Sequence, residues 1–118
     1  MTPARVLIVE DDWLIARDHA AVLERAGHVV VGPAATVSAA LLLIQSEKVD
    51  AALLDFHLSG DTSSALAGAL RRAGIPYAVL SGQARRHLPK DLADTLFIDK
   101  PVEPHGLLAT VALLTEKR

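Results

Sequence analysis

The amino-acid sequence predicts an α/β fold in which five parallel strands form one sheet with helices on both faces. Three observations carry this reading. Short apolar runs alternate with helix-spaced segments from end to end. The runs are continuous rather than alternating, as expected of strands buried on both faces. The junctions also carry residues that cap helices or break strands.

Residues 5–9 (Arg-Val-Leu-Ile-Val) form the first strand. Over 13–26, Ile15, His19, Val22, Leu23 and Ala26 recur at helical spacing, with Gly27 supplying the left-handed residue that ends the helix. Val29-Val30-Val31 is the second strand, stopped by Gly32-Pro33, and Thr36 caps a helix over 37–46. Asp50 leads into the third strand, 51–54; Ser59-Gly60-Asp61-Thr62 makes a turn and a cap before a helix over 63–73, closed by Gly74. Pro76 opens the fourth strand, 77–80. The stretch 83–94 carries a basic run and Pro89, and reads as a short or irregular helix. A fifth strand follows at 95–98, and Glu103-Pro104 starts the last helix, proline suiting a first turn.

Composition narrows the function classes. At 118 residues the chain has room for one core, and with 51% apolar but 3% aromatic residues that core is aliphatic. A formal charge of -2 gives no electrostatic case for nucleic acid or a membrane surface. The absence of cysteine excludes disulfides, thiolate catalysis and Cys-type zinc sites. Met1 to Arg5 has no signal-peptide layout, and the longest apolar stretch, Ala39 to Ile44, is too short to span a bilayer. The expectation is a cytoplasmic, single-domain protein over 1–118 with no output domain.

The strand ends carry the chemistry. The four runs at 6–9, 51–54, 77–80 and 96–98 are followed by Glu10-Asp11-Asp12, Asp55, Ser81 and Asp99-Lys100-Pro101. In open parallel sheets, ligands bind outside the carboxyl ends of the strands. Acids that can gather a divalent cation, a carboxylate that can be attacked, a hydroxyl and an ammonium then meet at one edge, which is what phosphoryl transfer to a protein carboxylate requires.

With Val-Glu-Asp-Asp at 9–12, Leu-Leu-Asp at 53–55, Leu-Ser-Gly at 80–82 and Asp-Lys-Pro at 99–101, the chain resembles the receiver domain of bacterial two-component response regulators over essentially its whole length. The resemblance implies the flavodoxin-like doubly wound sheet of order 2-1-3-4-5. It implies Asp55 as phosphoacceptor and Mg2+ as cofactor, held directly by Asp11 and Asp55, through water by Glu10, and by the backbone carbonyl of His57. Asp12 falls outside that set as the helix cap. Lys100 would neutralise the phosphoryl group, Ser81 would hydrogen-bond it, and Phe97 stands at the switch-aromatic position, where an ordinary core aromatic is an equal alternative. His57 and Gln83 occupy positions that tune how fast phosphate is lost. Ser59 stands where the family often has proline.

The implied function is a phosphoryl-accepting switch that acts through protein contacts and catalyses only its own phosphorylation and slow dephosphorylation. Its partners would be a sensor histidine kinase or histidine phosphotransfer protein, met along Trp13, Ile15, Arg17 and Asp18, and a downstream protein target, the chain being a monomer or weak homodimer. Two other readings share the same residues. A receiver-like docking domain would work without phosphate. A phosphohydrolase with an aspartyl-phosphate intermediate would need an acid two residues after the nucleophile, where this chain has His57. No Gly-x-Gly-x-x-Gly or Gly-x-x-x-x-Gly-Lys pattern follows the first strand, so a nucleotide cradle is not indicated. His19 reads as a half-buried structural residue, and Arg85-Arg86-His87 as a solvated face.

Overall fold

The continuous apolar runs are strands with a different core on each side. The computed structural model describes residues 3–58, 61–81 and 96–116, of which 57, 58 and 61–64 are described by backbone alone. In chain order the elements are β1 (Arg5–Val9), α1 (Trp13–Arg25), β2 (Val29–Ala34), α2 (Val37–Ser46), β3 (Ala51–Asp55), β4 (His57–Leu58), β5 (Asp61–Thr62), α3 (Ser63–Ala73), β6 (Tyr77–Ser81), β7 (Leu96–Asp99) and α4 (Pro104–Thr115). The main sheet is parallel with order β2-β1-β3-β6-β7, the 2-1-3-4-5 arrangement expected for its five strands.

Period-two alternation sorts each strand between the two cores. Leu7, Val9, Ala52, Leu54 and Val79 pack with Ala40, Leu66 and Leu70 on the side covered by α2 and α3. Val6, Ile8, Leu53, Ala78 and Leu80 pack with Ala16, Leu23, Leu107 and Val111 on the side covered by α1 and α4. Leu7, Ile8, Leu53 and Leu54 are fully buried or nearly so, which is why both parities had to be apolar.

The helix boundaries follow the caps. Asp12 accepts hydrogen bonds from the backbone of Leu14 and Ile15, and Thr36 accepts one from Ala39, satisfying amide groups that have no partner within the first turn. At the other end of α1, Gly27 has φ +93°, and the His28 and Gly27 amides donate to the carbonyls of Leu23 and Glu24. Gly74 ends α3 in the same way, with φ +73° and the Ile75 amide bonded to the Leu70 carbonyl. At the edge opposite the strand ends, the Arg5 amide donates to the Asp50 carboxylate and the Asp50 amide to the Arg5 carbonyl.

Two local expectations are corrected. β2 does not stop at Gly32-Pro33 but runs through Gly32 (φ +92°) and a cis Pro33 to Ala34. Proline is accommodated because β2 is an edge strand, where one missing donor costs no ladder bond. Asp61-Thr62, expected within a turn and cap over 59–62, instead forms one side of a two-stranded antiparallel pair, His57 opposite Thr62 and Leu58 opposite Asp61. The stretch 83–94, with Gln83 and Arg85-Arg86-His87, lies outside the described residues.

Candidate functional site

Parallel register brings the predicted residues to one edge. Val9 lies beside Leu54, Asp55 beside Leu80 and Ser81 beside Asp99. Backbone bonds carry the ladder past the strand ends: Phe56 N–H to the Leu80 carbonyl (2.9 Å), Lys100 N–H to the Ser81 carbonyl (3.1 Å) and Glu10 N–H to the Ala34 carbonyl (2.9 Å). Glu10, Asp55 and Lys100 continue the parity of Ile8, Leu53 and Ile98, the α1/α4 side, whereas Ser81 continues that of Val79.

Glu10 (4% exposed), Asp55 (6%) and Ser81 (4%) are buried, so two carboxylates and a hydroxyl have been taken out of water. Lys100 Nζ reaches Asp55 Oδ1 at 2.5 Å and stands 3.6 Å from Glu10 Oε1. Glu10 Oε2 accepts from the Asp12 amide at 3.2 Å, while Oε1 is buried without a hydrogen-bond partner among the described residues. Carboxylate oxygens of Glu10, Asp11 and Asp55 lie within 4.8 Å of one another, with Asp11 exposed at the mouth.

This crowding perturbs the charges. Burial, reinforced by the Asp55 carboxylate and only partly offset by the Asp12 amide and Lys100, pushes Glu10 from 4.5 up to about 7. Burial alone would lower Lys100, but its hydrogen bond to Asp55 and the Asp55 and Glu10 charges outweigh this and hold it above the ordinary lysine value. One lysine therefore faces two buried acids, and an acid oxygen is left over. A hard cation with oxygen ligands fits that donor set: Asp11 and Asp55 would hold it, a water on it would donate to the orphaned Glu10 oxygen, and the exposed side of Asp11 leaves room for further water.

The remaining predicted residues are placed as follows. Phe97 lies opposite Val79 and is half-buried against the α2/α3 core, on the same sheet face as Ser81. His57 is in β4, two residues beyond Asp55. Gln83 lies outside the described residues. Asp12 spends its carboxylate on the α1 cap, as expected. The Lys100-Pro101 bond is cis.

Two contributors escaped sequence reasoning. The Ala34 carbonyl holds the Glu10 amide, and a backbone acceptor leaves no trace in residue type. His19 joins Lys100 in lining a cavity of about 650 Å³ between α1 and α4, with Ile15, Val22, Pro101 and Leu107. Burial, and then the Lys100 ammonium, hold its imidazole below the usual histidine value. Its place on the Ile15–Val22 stripe was legible, but its proximity to Lys100 was not.

A doubly wound sheet with an acid cluster and a lysine at its carboxyl edge fits a receiver, and the chain belongs to the response regulator receiver domain family, which it matches over residues 6–112. It is 30% identical over 111 residues to the phyllosphere-induced regulator PhyR of Methylorubrum extorquens, a match covering 91% of this chain and 42% of that protein. The crystal structure of the response regulator PhyR from Brucella abortus superposes with a TM-score of 0.85 at 30% identity, covering 98% of this chain and 49% of the other. The chain thus spans less than half the length of these PhyR proteins. The solution structure of SdrG from Sphingomonas melonis Fr1 has a TM-score of 0.81 at 32% identity, with 97% of this chain and 98% of SdrG covered. No described helix is long and apolar enough to cross a membrane.

Proposed function

We propose that the chain is a phosphoryl-accepting switch of a two-component or phosphorelay system, phosphorylated on Asp55 in a Mg2+-dependent reaction. The observation that carries this reading is the buried Asp55 carboxylate held by Lys100 beside a second buried acid whose Oε1 has no hydrogen-bond partner among the described residues. Glu10, Asp11, Asp55 and the His57 carbonyl would hold the cation, Glu10 acting through water. Bound there, Mg2+ offsets the charge of the acids and of the incoming phosphoryl oxygens.

In the proposed step an Asp55 carboxylate oxygen attacks the phosphorus of the donor. A P–O bond to Asp55 forms as the bond to the donor's leaving atom breaks, and the leaving group takes the electron pair. Lys100 then exchanges its carboxylate partner for phosphoryl oxygens, a charge-for-charge replacement that needs little movement. Ser81, on the strand next to β3, would offer its hydroxyl to the phosphoryl group. Phe97 shares Ser81's sheet face one strand away, so a shift of Ser81 has a route into the α2/α3 core. His57 and Gln83 would set the lifetime of the acyl phosphate.

SdrG, of comparable length, is known in a BeF3-activated conformation, at 33% identity to this chain. The proposed phosphodonor is a sensor histidine kinase or a histidine phosphotransfer protein. It would dock along α1, where Trp13 is 66% exposed beside the acid cluster. Output would then pass to a protein target, with the chain acting in the cytoplasm.

The test is intact-mass measurement after incubation with Mg2+ and a small acyl-phosphate donor. Wild type should gain one phosphoryl group, and Asp55→Asn none. An unlabelled wild type, equal labelling of the variant, or sustained turnover of phosphoesters would each overturn the reading.

A further inference from the structure

We propose that Gly32 is a positioning residue for the acid pocket: the bulge it permits in β2 brings the Ala34 carbonyl to the Glu10 amide and so aims the Glu10 carboxylate at Asp55 and Lys100. The inference rests on the metal-site reading above, but it concerns a residue on an outer strand that touches none of the acids.

Between two matched pairs, Leu7 with Val31 and Val9 with Ala34, β1 advances by two residues and β2 by three. The extra residue lies at Gly32-Pro33, both exposed, and it returns Ala34 to the buried side beside Val31, Leu7 and Val9. Without it, Pro33 would stand opposite Val9, and the carbonyl reaching Glu10 would come from a residue of the opposite parity. Only glycine fits the bulge. Gly32 has φ +92°, and a Cβ there would lie 2.7 Å from the Ala34 nitrogen and 3.3 Å from the Ile8 carbonyl oxygen. Both contacts are backbone, so no side chain can swing aside.

What the bulge delivers is the 2.9 Å bond from Glu10 N–H to the Ala34 carbonyl. Glu10 is then held twice, by its amide on β2 and by its Oε2 on the Asp12 amide. With both ends fixed, Oε1 points at Lys100, 3.6 Å away, instead of toward solvent. Loss of the first hold frees the backbone of the residue that begins the acid run, and the three carboxylates no longer converge. Residues that orient ligands in this way commonly change metal affinity without touching the metal.

Gly27 provides a matched control. It also has positive φ (+93°), but a Cβ there meets nothing within 4 Å, and it precedes β2 at the far end of the sheet. Mg2+ titration calorimetry on wild type, Gly32→Ala and Gly27→Ala, with urea unfolding of each, separates positioning from general destabilisation. The expected result is affinity weakened about tenfold or more in Gly32→Ala and within about twofold of wild type in Gly27→Ala, a distant and independent site. Wild-type affinity in a folded Gly32→Ala, or equal loss in both variants, would overturn the positioning role alone. No Mg2+ binding by wild type would instead overturn the metal-site reading.

A second measurement needs no variant and decides the matter if Gly32→Ala does not fold. Coupling between sites is reciprocal, so if the Glu10–Ala34 bond supports Mg2+ binding, Mg2+ must make opening of that bond rarer. Amide exchange of Glu10 in wild type should slow on adding Mg2+, while that of Val29, bonded to Ala4 at the other end, should not. An unchanged Glu10 rate would overturn the proposal.

Discussion

Replacing Glu10 by glutamine removes one buried negative charge while keeping the shape of the side chain. Its carboxyl group is raised from 4.5 to about 7 by burial and by Asp55. The folded state therefore binds this proton more tightly than the unfolded state. The resulting stabilisation is fully present below 4.5 and is lost as pH rises through about 7. At about 1.4 kcal/mol for each pH unit, the metal-free protein is about 3 kcal/mol less stable at about pH 8 than it would be with a neutral residue. Glutamine does not titrate. Any fixed gain or loss from its amide is the same at every pH, and Lys100, held above the ordinary lysine value, stays protonated across the range used.

The assay is urea unfolding of wild type and Glu10→Gln from about pH 5 to about pH 8 with divalent ions chelated, read as the difference between the two stabilities. That difference should grow in favour of the variant by about 2–3 kcal/mol across the range. Adding Mg2+ at about pH 8 should reverse the trend, since a ligand that binds the folded state stabilises by RT ln(1 + [L]/Kd) and the variant has lost an acid of the site. Parallel stability curves for the two chains in chelator would refute the reasoning, as would equal stabilisation of both by Mg2+.

Lys100→Met leaves Asp55 and Glu10 facing each other without their ammonium. Stability in chelator at neutral pH should fall by about 1–2 kcal/mol, discounted for the partial exposure of Lys100, and labelling by acyl phosphate should slow about 100-fold or more. His28 is buried and its Nδ1 accepts the Ala4 amide, so protonation would set donor against donor. Burial holds its folded value below 6.5, so stability is present above 6.5 and lost as pH falls through that lower value. In His28→Gln this acid-side loss should shrink, and NMR of the wild type should show the tautomer protonated at Nε2. Asp12→Ala removes two cap bonds from α1 and should cost about 1 kcal/mol in urea unfolding.

The parts of this fold that were legible in the sequence are those in which side chains carry the information. Leu7 and Ile8 had to be apolar because each faces its own core, and Asp12, Thr36 and Gly27 announce helix ends through side-chain or backbone chemistry peculiar to them. The positions of Asp55 and Lys100 at strand ends followed directly. What remained illegible is carried by backbone. Gly32-Pro33 reads as a stop, and only the edge position of β2 turns it into a bulge that the strand survives. The pair at 57–58 and 61–62 is too short to show any period. The closeness of His19 to Lys100 depends on how α1 packs against the segment after β7, which residue order does not display.

The alternation of parity also sets how this molecule can be varied. Adjacent residues of β1, β3 and β6 belong to separate cores, and the strand-end groups inherit that division: Glu10, Asp55 and Lys100 on the α1/α4 side, Ser81 and Phe97 on the α2/α3 side. A repacking confined to Ala16, Leu23, Leu107 and Val111 therefore bears on the groups proposed to receive and neutralise charge, and leaves the hydroxyl and aromatic proposed to respond to it on undisturbed packing. Within one small sheet, the groups proposed to receive charge and those proposed to respond to it thus rest on different packings.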